Sequence, residues 1–369
     1  MITPYTIAIS QADLDDVQAR LARVRWTNEL PGVGTNYGEP LAPIKRLVTY
    51  WREDYDWRTW EAKLNAYPQF TTTIDGQNIH FLHIRSKVDD ALPLILTHGW
   101  PTSVVDYLDL IGPLTDPRSH GDETAQAFHL VIPSLPGFGF SGPTHEVGWN
   151  QYRTARAWAE LMHRLGYDRY GAHGNDWGSV LSPEIGRFDP EHVVGVHVTQ
   201  IFSAPSGNPA EMDALSLGEK ELWQKFHWSQ HHRGIYHPLQ SNIPQTLAHA
   251  LADSPVGQLA WNYQIYGDDV SDDYILTNVM IYWLTNTAAS SARFYYEVAH
   301  PTFVPTGPTT VQLGLSHFGN DYPAIRRFAS RDHTNIVFWK IYDQGGHFAT
   351  QTAPDLLIDD IRNFFKQLW

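Results

Sequence analysis

The feature that most constrains this chain is a series of short, continuously apolar segments that alternate with amphipathic helical patterns. A strand that is apolar along its whole length is buried on both faces, so helices must cover both sides of its sheet. The pattern therefore predicts an α/β fold with a mostly parallel central sheet and helices on both faces. The apolar segments are Leu92–Thr97, His129–Pro133, Tyr170–His173 and Val193–Val198.

The alternation is interrupted once. Residues from about 201 to 300 are rich in Trp, Tyr and His with helix-like spacing, which predicts a helical lid inserted after the sixth strand. The strand pattern resumes at Val311–Ser316 and Asn335–Tyr342, and a last helix follows Pro354. We expect four segments: an N-terminal meander with the first strands at 1–85, the α/β core at 86–200, the lid at 201–300 and the rest of the core at 301–369.

The N-terminal region reads as helix and meander. Ser10 followed by Asp13 forms a capping-box pattern before a helix over about residues 11–25. Residues 28–40 are rich in Gly and Pro and predict an irregular connection. The remaining predicted elements are helices near 42–55 and 57–65 and a hairpin of Phe70–Ile74 with Ile79–Ile84, so every strand is expected after residue 69.

Composition narrows the class of protein. With 369 residues, 42% of them hydrophobic, the chain can bury one large core and carry an insertion. Its net charge of −14 argues against nucleic-acid and anionic-membrane partners. The sequence has no cysteine, which excludes disulfides and thiolate chemistry. It shows neither a signal-peptide pattern nor a long apolar span, so we expect a soluble cytoplasmic protein.

The motif Gly174-Asn175-Asp176-Trp177-Gly178 resembles the Gly-x-Ser-x-Gly nucleophile elbow of α/β-hydrolases, with aspartate in place of serine. It follows a predicted strand and precedes a helix. A carboxylate attacks saturated carbon that carries a good leaving group and forms an alkyl ester, which water must then cleave. The substitution predicts epoxides or alkyl halides as substrates. Taken alone, this motif could also be a simple turn. The other motifs of the chain must therefore show whether Asp176 is catalytic.

Two further glycine-flanked motifs follow predicted strands. His98-Gly99-Trp100-Pro101 is placed where the backbone N–H of Trp100, with that of Trp177, would form an oxyanion hole for ester hydrolysis. Gly345-Gly346-His347-Phe348 follows the last strand, where the general base of this fold emerges. We therefore expect His347 to activate the hydrolytic water.

The base needs an acid that orients its ring. Asp321 follows the preceding strand and is the expected partner of His347. Asp332 and Asp343 are the alternatives. Asp332 precedes the last strand, at its far end from the site, and Asp343 is too close to His347 along the same strand end.

Epoxide opening also requires a proton for the departing oxygen. A tyrosine phenol stays protonated at neutral pH and can donate to a developing alkoxide. Tyr236 and Tyr295, both in the predicted lid, are the candidates, and Tyr296 is an adjacent alternative to Tyr295. Lid tryptophans suggest an apolar or aromatic pocket: Trp223, Trp228, Trp261 and Trp283.

Taken together, these motifs resemble those of the microsomal-type epoxide hydrolases, a group that includes the juvenile-hormone epoxide hydrolases. Residues 3–85 also resemble the leading region of that family, so the resemblance covers nearly the whole chain. Asn175 departs from the pattern, because glycine is usual there. The motifs that carry the resemblance are His98–Pro101, Gly174–Ser179, Gly234–Tyr236, Arg293–Glu297 and Gly345–Phe348.

The resemblance implies an activity and the residues that perform it. It implies hydrolysis of an apolar or aromatic epoxide to a vicinal diol, in detoxification or secondary metabolism. Asp176 would be the nucleophile, Asp321 and His347 the charge pair, and Tyr236 and Tyr295 the ring-opening acids. The expected partners are the epoxide and water, with no cofactor, metal, nucleic acid or membrane; a homodimer is left open.

Two other functions use the same motifs. A haloalkane dehalogenase shares the Asp176-Trp177 pair and could hold a halide on the indole of Trp177, but it needs no pair of lid tyrosines. A ligand-binding relative would keep the fold and lose a catalytic residue, and none is missing here. The lid histidines His227, His231 and His232 have metal-ligand spacing, but an exposed lid surface is the favoured interpretation.

Overall fold

The computed structural model describes residues 1–122, 124–267 and 269–369. Its strands form one sheet in the order β1-β2-β3-β5-β4-β6-β7-β8-β9. The strands are β1 (Thr3–Tyr5), β2 (Gln69–Ile74), β3 (Gln77–Ile84), β4 (Leu92–Thr97), β5 (Phe128–Pro133), β6 (Tyr170–Gly174), β7 (Val193–Val198), β8 (Leu313–His317) and β9 (Ile336–Ile341).

The sheet is antiparallel at one edge and parallel through its centre. β1, β2 and β3 pair antiparallel, as do β3 and β5. From β5 onward the pairs are parallel, with Leu94 opposite Gly171 and Val196 opposite Leu313. This confirms the predicted mostly parallel sheet. Because parallel strands share a direction, the loops after β4, β6, β7, β8 and β9 emerge at one edge, where ligands bind in open α/β sheets.

The first strand was missed by the sequence patterns. Thr3 pairs with Thr71 and Tyr5 with Gln69, so the expectation that every strand follows residue 69 was wrong. A three-residue strand is too short to show an apolar alternation, and it forms because β2 offers an open edge. For the same reason, the helical insertion follows the seventh strand and not the sixth.

Helices cover both faces of the sheet. Within the described ranges they are α1 (Gln11–Ala22), α2 (Leu41–Glu53), α3 (Trp57–Asn65), α4 (Leu108–Thr115), α5 (Gln151–Arg164), α6 (Trp177–Phe188), α7 (Pro209–Asp213), α8 (Leu217–His232), α9 (Tyr236–Asn242), α10 (Pro244–Asp253), α11 (Pro255–Tyr266), α12 (Asp272–Leu284), α13 (Ala288–Ala299), α14 (Arg326–Asp332), α15 (Ala349–Thr352) and α16 (Pro354–Phe365). Short 3₁₀ turns lie at Gly34–Tyr37, Val104–Tyr107, Arg118–His120 and Gly139–Ser141.

Side-chain alternation along β4 shows how the core is divided. Leu94 and Leu96 point into an apolar cluster on one face of the sheet, together with Phe364 of α16. Ile95 points into a second cluster on the other face, together with Trp158 of α5. Successive strand residues face opposite sides, so a strand buried on both sides must be apolar throughout.

The N-terminal helices are anchored to the helical insertion. Ser10 Oγ accepts a hydrogen bond from the backbone N–H of Asp13 at 3.1 Å, which confirms the predicted cap of α1. Tyr50 on α2 donates to Asp273 Oδ1 at 2.8 Å, and the Tyr55 hydroxyl lies 3.1 Å from Thr277 Oγ1. α12 therefore lies between the N-terminal region and the core. None of the helices in the described ranges is both long and apolar enough to cross a membrane.

Candidate active site

Asp176 lies at the sharp turn between β6 and α6. Its backbone has φ 50° and ψ −118°, a conformation that L-residues rarely adopt. The turn depends on two glycines: a Cβ on Gly174 would overlap the carbonyl of Gly178, and one on Gly178 would overlap the carbonyl of Thr97. The Gly-x-Asp-x-Gly pattern is therefore explained by backbone atoms that approach too closely for any side chain.

The carboxylate of Asp176 contacts two of the predicted site residues. The backbone N–H of Trp100 donates to Asp176 Oδ1 at 2.9 Å, and His347 Nε2 lies 3.5 Å from Asp176 Oδ2. Gly99 makes the first contact possible, because a Cβ there would overlap the Asp176 side chain. Each oxygen thus faces a different partner. The second expected oxyanion-hole donor, the backbone N–H of Trp177, begins α6 directly after Asp176.

His347 contacts Asp321 through its other ring nitrogen. His347 Nδ1 lies 2.9 Å from Asp321 Oδ1, and Asp321 is buried. The two alternative acids lie elsewhere: Asp332 pairs with Arg331 at 2.7 Å, and Asp343 is exposed to solvent. Of the three candidates, the structure brings only Asp321 to the ring of His347.

The charges around His347 outweigh its burial. Burial alone would lower the pKa of His347, but the carboxylates of Asp321 and Asp176 raise it well above its ordinary value. For Asp321, burial opposes ionisation, yet the charge of His347 and the hydrogen bonds to its carboxylate hold the pKa of Asp321 below its ordinary value. The free site therefore holds an imidazolium between two carboxylates.

Gln200 is a residue of the site that the sequence patterns missed. It follows β7, and its Oε1 accepts from the backbone N–H of Asp176 and from Ser179 Oγ, both at 2.8 Å. Its Nε2 donates to Asp321 Oδ2 at 2.5 Å. One buried amide thus connects the nucleophile's backbone to the orienting acid. The available signal was the pair of polar residues, Thr199 and Gln200, that follows a buried parallel strand.

A cavity of about 820 Å³ opens above Asp176. Tyr236 and Tyr295 both line it and are buried. The Tyr236 ring stacks on Trp100 at 4.9 Å between centroids, and Tyr295 meets Trp177 edge-on at 4.8 Å. Burial raises the pKa of both phenols well above the ordinary value, so each stays protonated.

Tyr296, the alternative to Tyr295, faces away from the cavity. Tyr296 is 40% exposed and stacks on His300 at 4.3 Å between ring centroids. Neighbouring residues of a helix point in different directions, so only one of the two tyrosines on α13 can face the nucleophile. That residue is Tyr295.

The cavity wall is apolar and aromatic, as the lid tryptophans suggested, but none of those four tryptophans lines it. Trp223 stacks on Phe226 at 5.5 Å, and the indole N–H of Trp261 donates to Gln240 at 2.8 Å. Helical spacing cannot show which side of an inserted helix faces the sheet. The apolar part of the wall comes instead from Trp177, Val180, Phe202, Leu239, Val298 and Tyr322.

Asn175, where the family resemblance leads us to expect glycine, is hydrogen-bonded beneath the turn that holds Asp176. Its Oδ1 accepts from the Tyr107 hydroxyl at 2.5 Å, and its Nδ2 donates to Asp106 Oδ2 at 3.1 Å. Asp106 also accepts hydrogen bonds from Thr102 and Tyr274. Burial raises the pKa of Asp106 to about 6. The departure at residue 175 therefore adds a buried polar network beneath the nucleophile.

The lid histidines are exposed, as expected. His227 and His231 stack at 4.0 Å between ring centroids, and His231 Nδ1 lies 2.8 Å from the carbonyl of His227. His232 makes the same contact to Trp228. Among the residues that the structure describes, no carboxylate joins them to form a three-ligand group.

The chain is similar to known proteins over its whole length. Residues 2–107 match the family model for the epoxide hydrolase N terminus, and residues 93–350 match that for the alpha/beta hydrolase fold. A Stigmatella aurantiaca protein provisionally named an epoxide hydrolase is 43% identical and is aligned over 100% of this chain and 85% of its own length.

Two solved structures are also similar over the whole chain. The Aspergillus niger epoxide hydrolase is 29% identical, with a TM-score of 0.86 over 100% of this chain and 97% of the other. The juvenile hormone epoxide hydrolase of the silkworm Bombyx mori is 25% identical, with a TM-score of 0.90 over 100% and 95% of the two chains.

The network beneath the elbow generates a stability prediction. We expect Asn175→Gly to lower the free energy of unfolding by about 1–3 kcal/mol, because it leaves the buried Tyr107 hydroxyl and Asp106 with fewer partners. Urea denaturation followed by tryptophan fluorescence measures this. Asn28→Gly, at an exposed position, is the control and should change stability by less than about 0.5 kcal/mol. Equal stability of the two variants would contradict the anchoring role of Asn175.

The charge arrangement predicts a shift in the titration of His347. Asp176→Asn removes one of the two negative charges that support the imidazolium, so the pKa of His347 should fall. Histidine NMR of the labelled protein as a function of pH measures it, and Asp332→Asn should leave the titration unchanged. A pKa of His347 that stays the same or rises in Asp176→Asn would contradict the coupling.

Proposed function

Because the chain belongs to the epoxide hydrolases of the α/β-hydrolase fold, we propose that it converts an apolar or aromatic epoxide to a vicinal diol through an ester on Asp176. The observation that carries this proposal is the position of the Asp176 carboxylate in the wall of the 820 Å³ cavity that Tyr236 and Tyr295 also line. There it contacts the backbone N–H of Trp100 on one oxygen and His347 on the other.

In the first step, Asp176 Oδ2 attacks an epoxide carbon and the bond from that carbon to the ring oxygen breaks. The contact of Oδ1 with the backbone N–H of Trp100 leaves Oδ2 as the attacking atom. The departing oxygen becomes an alkoxide and takes a proton from Tyr236 or Tyr295, which line the same cavity as protonated phenols. The product of this step is a hydroxyalkyl ester of Asp176.

In the second step, water hydrolyses the ester. Esterification removes the charge of Asp176, so the pKa of His347 falls and the ring can lose its proton. That proton balances the one the tyrosine gave to the alkoxide, so the phenol is restored and His347 becomes neutral. Neutral His347 then takes a proton from water, which attacks the Asp176 carbonyl carbon. The oxyanion forms on Oδ1, within reach of the Trp100 N–H and next to that of Trp177. When this intermediate collapses, the bond from the Asp176 carbonyl carbon to the substrate oxygen breaks. That oxygen takes the proton of the new carboxyl group, which releases the diol and restores the carboxylate, while Asp321 supports the imidazolium.

The cavity wall supports the proposed substrate class. Val180, Phe202, Leu239 and Val298 line the cavity together with Asp176 and the two tyrosines. An apolar or aromatic substituent would lie against these side chains and leave the epoxide oxygen near the two phenols. The helices α7–α13, which run from Pro209 to Ala299, supply both tyrosines, and we propose that they act as the lid.

The tyrosine pair also weighs against a haloalkane dehalogenase. A halide leaves as an anion that needs no proton, so two buried phenols above the nucleophile would have no chemical task. The charge pair of His347 and Asp321 likewise weighs against a catalytically silent binding protein.

His347 should be needed for the second step more than for the first. We expect His347→Gln to form the Asp176 ester but to hydrolyse it very slowly, because the base is missing. Mass spectrometry of the intact protein after mixing with styrene oxide should show the added mass of one epoxide. The same treatment of Asp176→Asn/His347→Gln should leave the mass unchanged. Absence of the adduct in a folded His347→Gln variant would contradict the division of the two steps.

The two phenols should be needed for the first step. Each of Tyr236→Phe and Tyr295→Phe should slow epoxide consumption, and the double variant should abolish nearly all of it, because no acid remains for the alkoxide. Single-turnover consumption measures this, and intact mass should show no ester. Tyr296→Phe is the matched control and should behave like the wild type. Unimpaired ring opening in the double variant would exclude tyrosine acid catalysis.

A further inference from the structure

A second cluster of titratable side chains lies at the other end of the strands and takes no part in the proposed reaction. His163 is in the last turn of α5, Asp189 ends α6, and His192 directly precedes β7. They lie near the start of β6, whereas Asp176 follows its end. Five strand residues separate the two places by roughly 15 Å.

The three side chains converge on one point. His192 Nδ1 lies 2.5 Å from Asp189 Oδ1, and His163 Nε2 lies 3.1 Å from Asp189 Oδ2. The two rings are nearly perpendicular, at 86°, with centroids 4.5 Å apart. One ligand atom of each residue lies within 4.8 Å of the other two. Two imidazole nitrogens and one carboxylate oxygen are a ligand set that suits Zn²⁺ and its first-row neighbours.

Backbone and side-chain contacts hold this cluster in place. The Tyr170 hydroxyl donates to Asp189 Oδ2 at 2.6 Å, as an outer hydrogen bond that orients the carboxylate. The backbone N–H of Tyr170 donates to the carbonyl of His192 at 3.0 Å, and that of His192 donates to Asp189 at 3.2 Å. The positions of Asp189 and His192 are therefore fixed by the start of β6.

The cluster is also open to solvent on one side. Asp189 is buried, whereas the side chains of His163 and His192 are 38% and 33% exposed. An ion can enter from the histidine side, and water can complete its coordination. A fully buried triad would allow neither entry of the ion nor coordination by water.

We propose that His163, Asp189 and His192 bind a divalent transition-metal ion of the zinc type. The two ring nitrogens that now face the carboxylate would give up any proton and direct their lone pairs to the ion, which takes the place between them and Asp189. The site ties the end of α5 to the turn before β7. Because it lies at the opposite end of the strands from Asp176, it stabilises the fold and has no part in opening the epoxide.

The test uses the full chain, freed of metal with a chelator and titrated with zinc chloride. Calorimetry should show one Zn²⁺ bound per chain, and the Tm should rise with Zn²⁺ concentration, because only the folded chain assembles the three ligands. His163→Gln and His192→Gln should each lose both effects. Tyr170→Phe, which removes only the outer hydrogen bond, should weaken binding by about tenfold to a hundredfold.

The matched control changes the two stacked lid histidines. His227→Gln/His231→Gln removes a pair of exposed imidazoles and should keep both the binding and the Zn²⁺-dependent rise in Tm. Each variant is compared with its own metal-free Tm, so that destabilisation by the substitution itself is not mistaken for a loss of Zn²⁺ binding. No binding by the wild type, unchanged binding in both His163→Gln and His192→Gln, or loss of binding in the lid control would overturn the proposal and identify the cluster as an ion pair only.

Discussion

The site depends on one buried arrangement of charge, an imidazolium held between two carboxylates. His347 contacts Asp321 through Nδ1 and Asp176 through Nε2, and its charge helps to hold the pKa of the buried Asp321 below its ordinary value. In the proposed mechanism, the same arrangement sets the order of the two chemical steps. While Asp176 is charged, His347 is held as a cation and Asp176 is the nucleophile. Once Asp176 is an ester, that support is lost and His347 becomes a base.

The surrounding fold keeps these groups in position by holding the backbone at Asp176 in a strained conformation. Asp176 adopts a positive φ, and the loop with Gly99 passes close against its side chain. Such strain persists only where neighbouring contacts fix it. Gln200 fixes the turn from the β7 side and Asn175 fixes it from below, so that Oδ1 meets the Trp100 N–H before any substrate arrives. The proposed oxyanion hole is thus partly formed in the free protein.

Sequence reasoning succeeded where function depends on local pattern and failed where it depends on packing. Continuous apolar strands predicted the sheet, and the glycine-flanked motifs predicted which loops meet at its edge. The sequence patterns did not predict β1, because a three-residue strand is too short to show a periodic pattern. They did not predict Gln200 as a site residue, because its role depends on contacts with residues distant along the chain, such as Asp321. The lid tryptophans suggested the apolar character of the cavity but not its lining residues, because helical spacing does not say which side of an inserted helix faces Asp176.

The central claim is that the diol receives its new oxygen from Asp176 and not directly from water. A single turnover in ¹⁸O-labelled water, with the enzyme in excess over styrene oxide, tests it most directly. We expect unlabelled diol, with ¹⁸O found in the peptide that contains Asp176 because water attacks its carbonyl carbon. Appearance of ¹⁸O in the first-formed diol, with an unlabelled Asp176 peptide, would contradict the covalent mechanism.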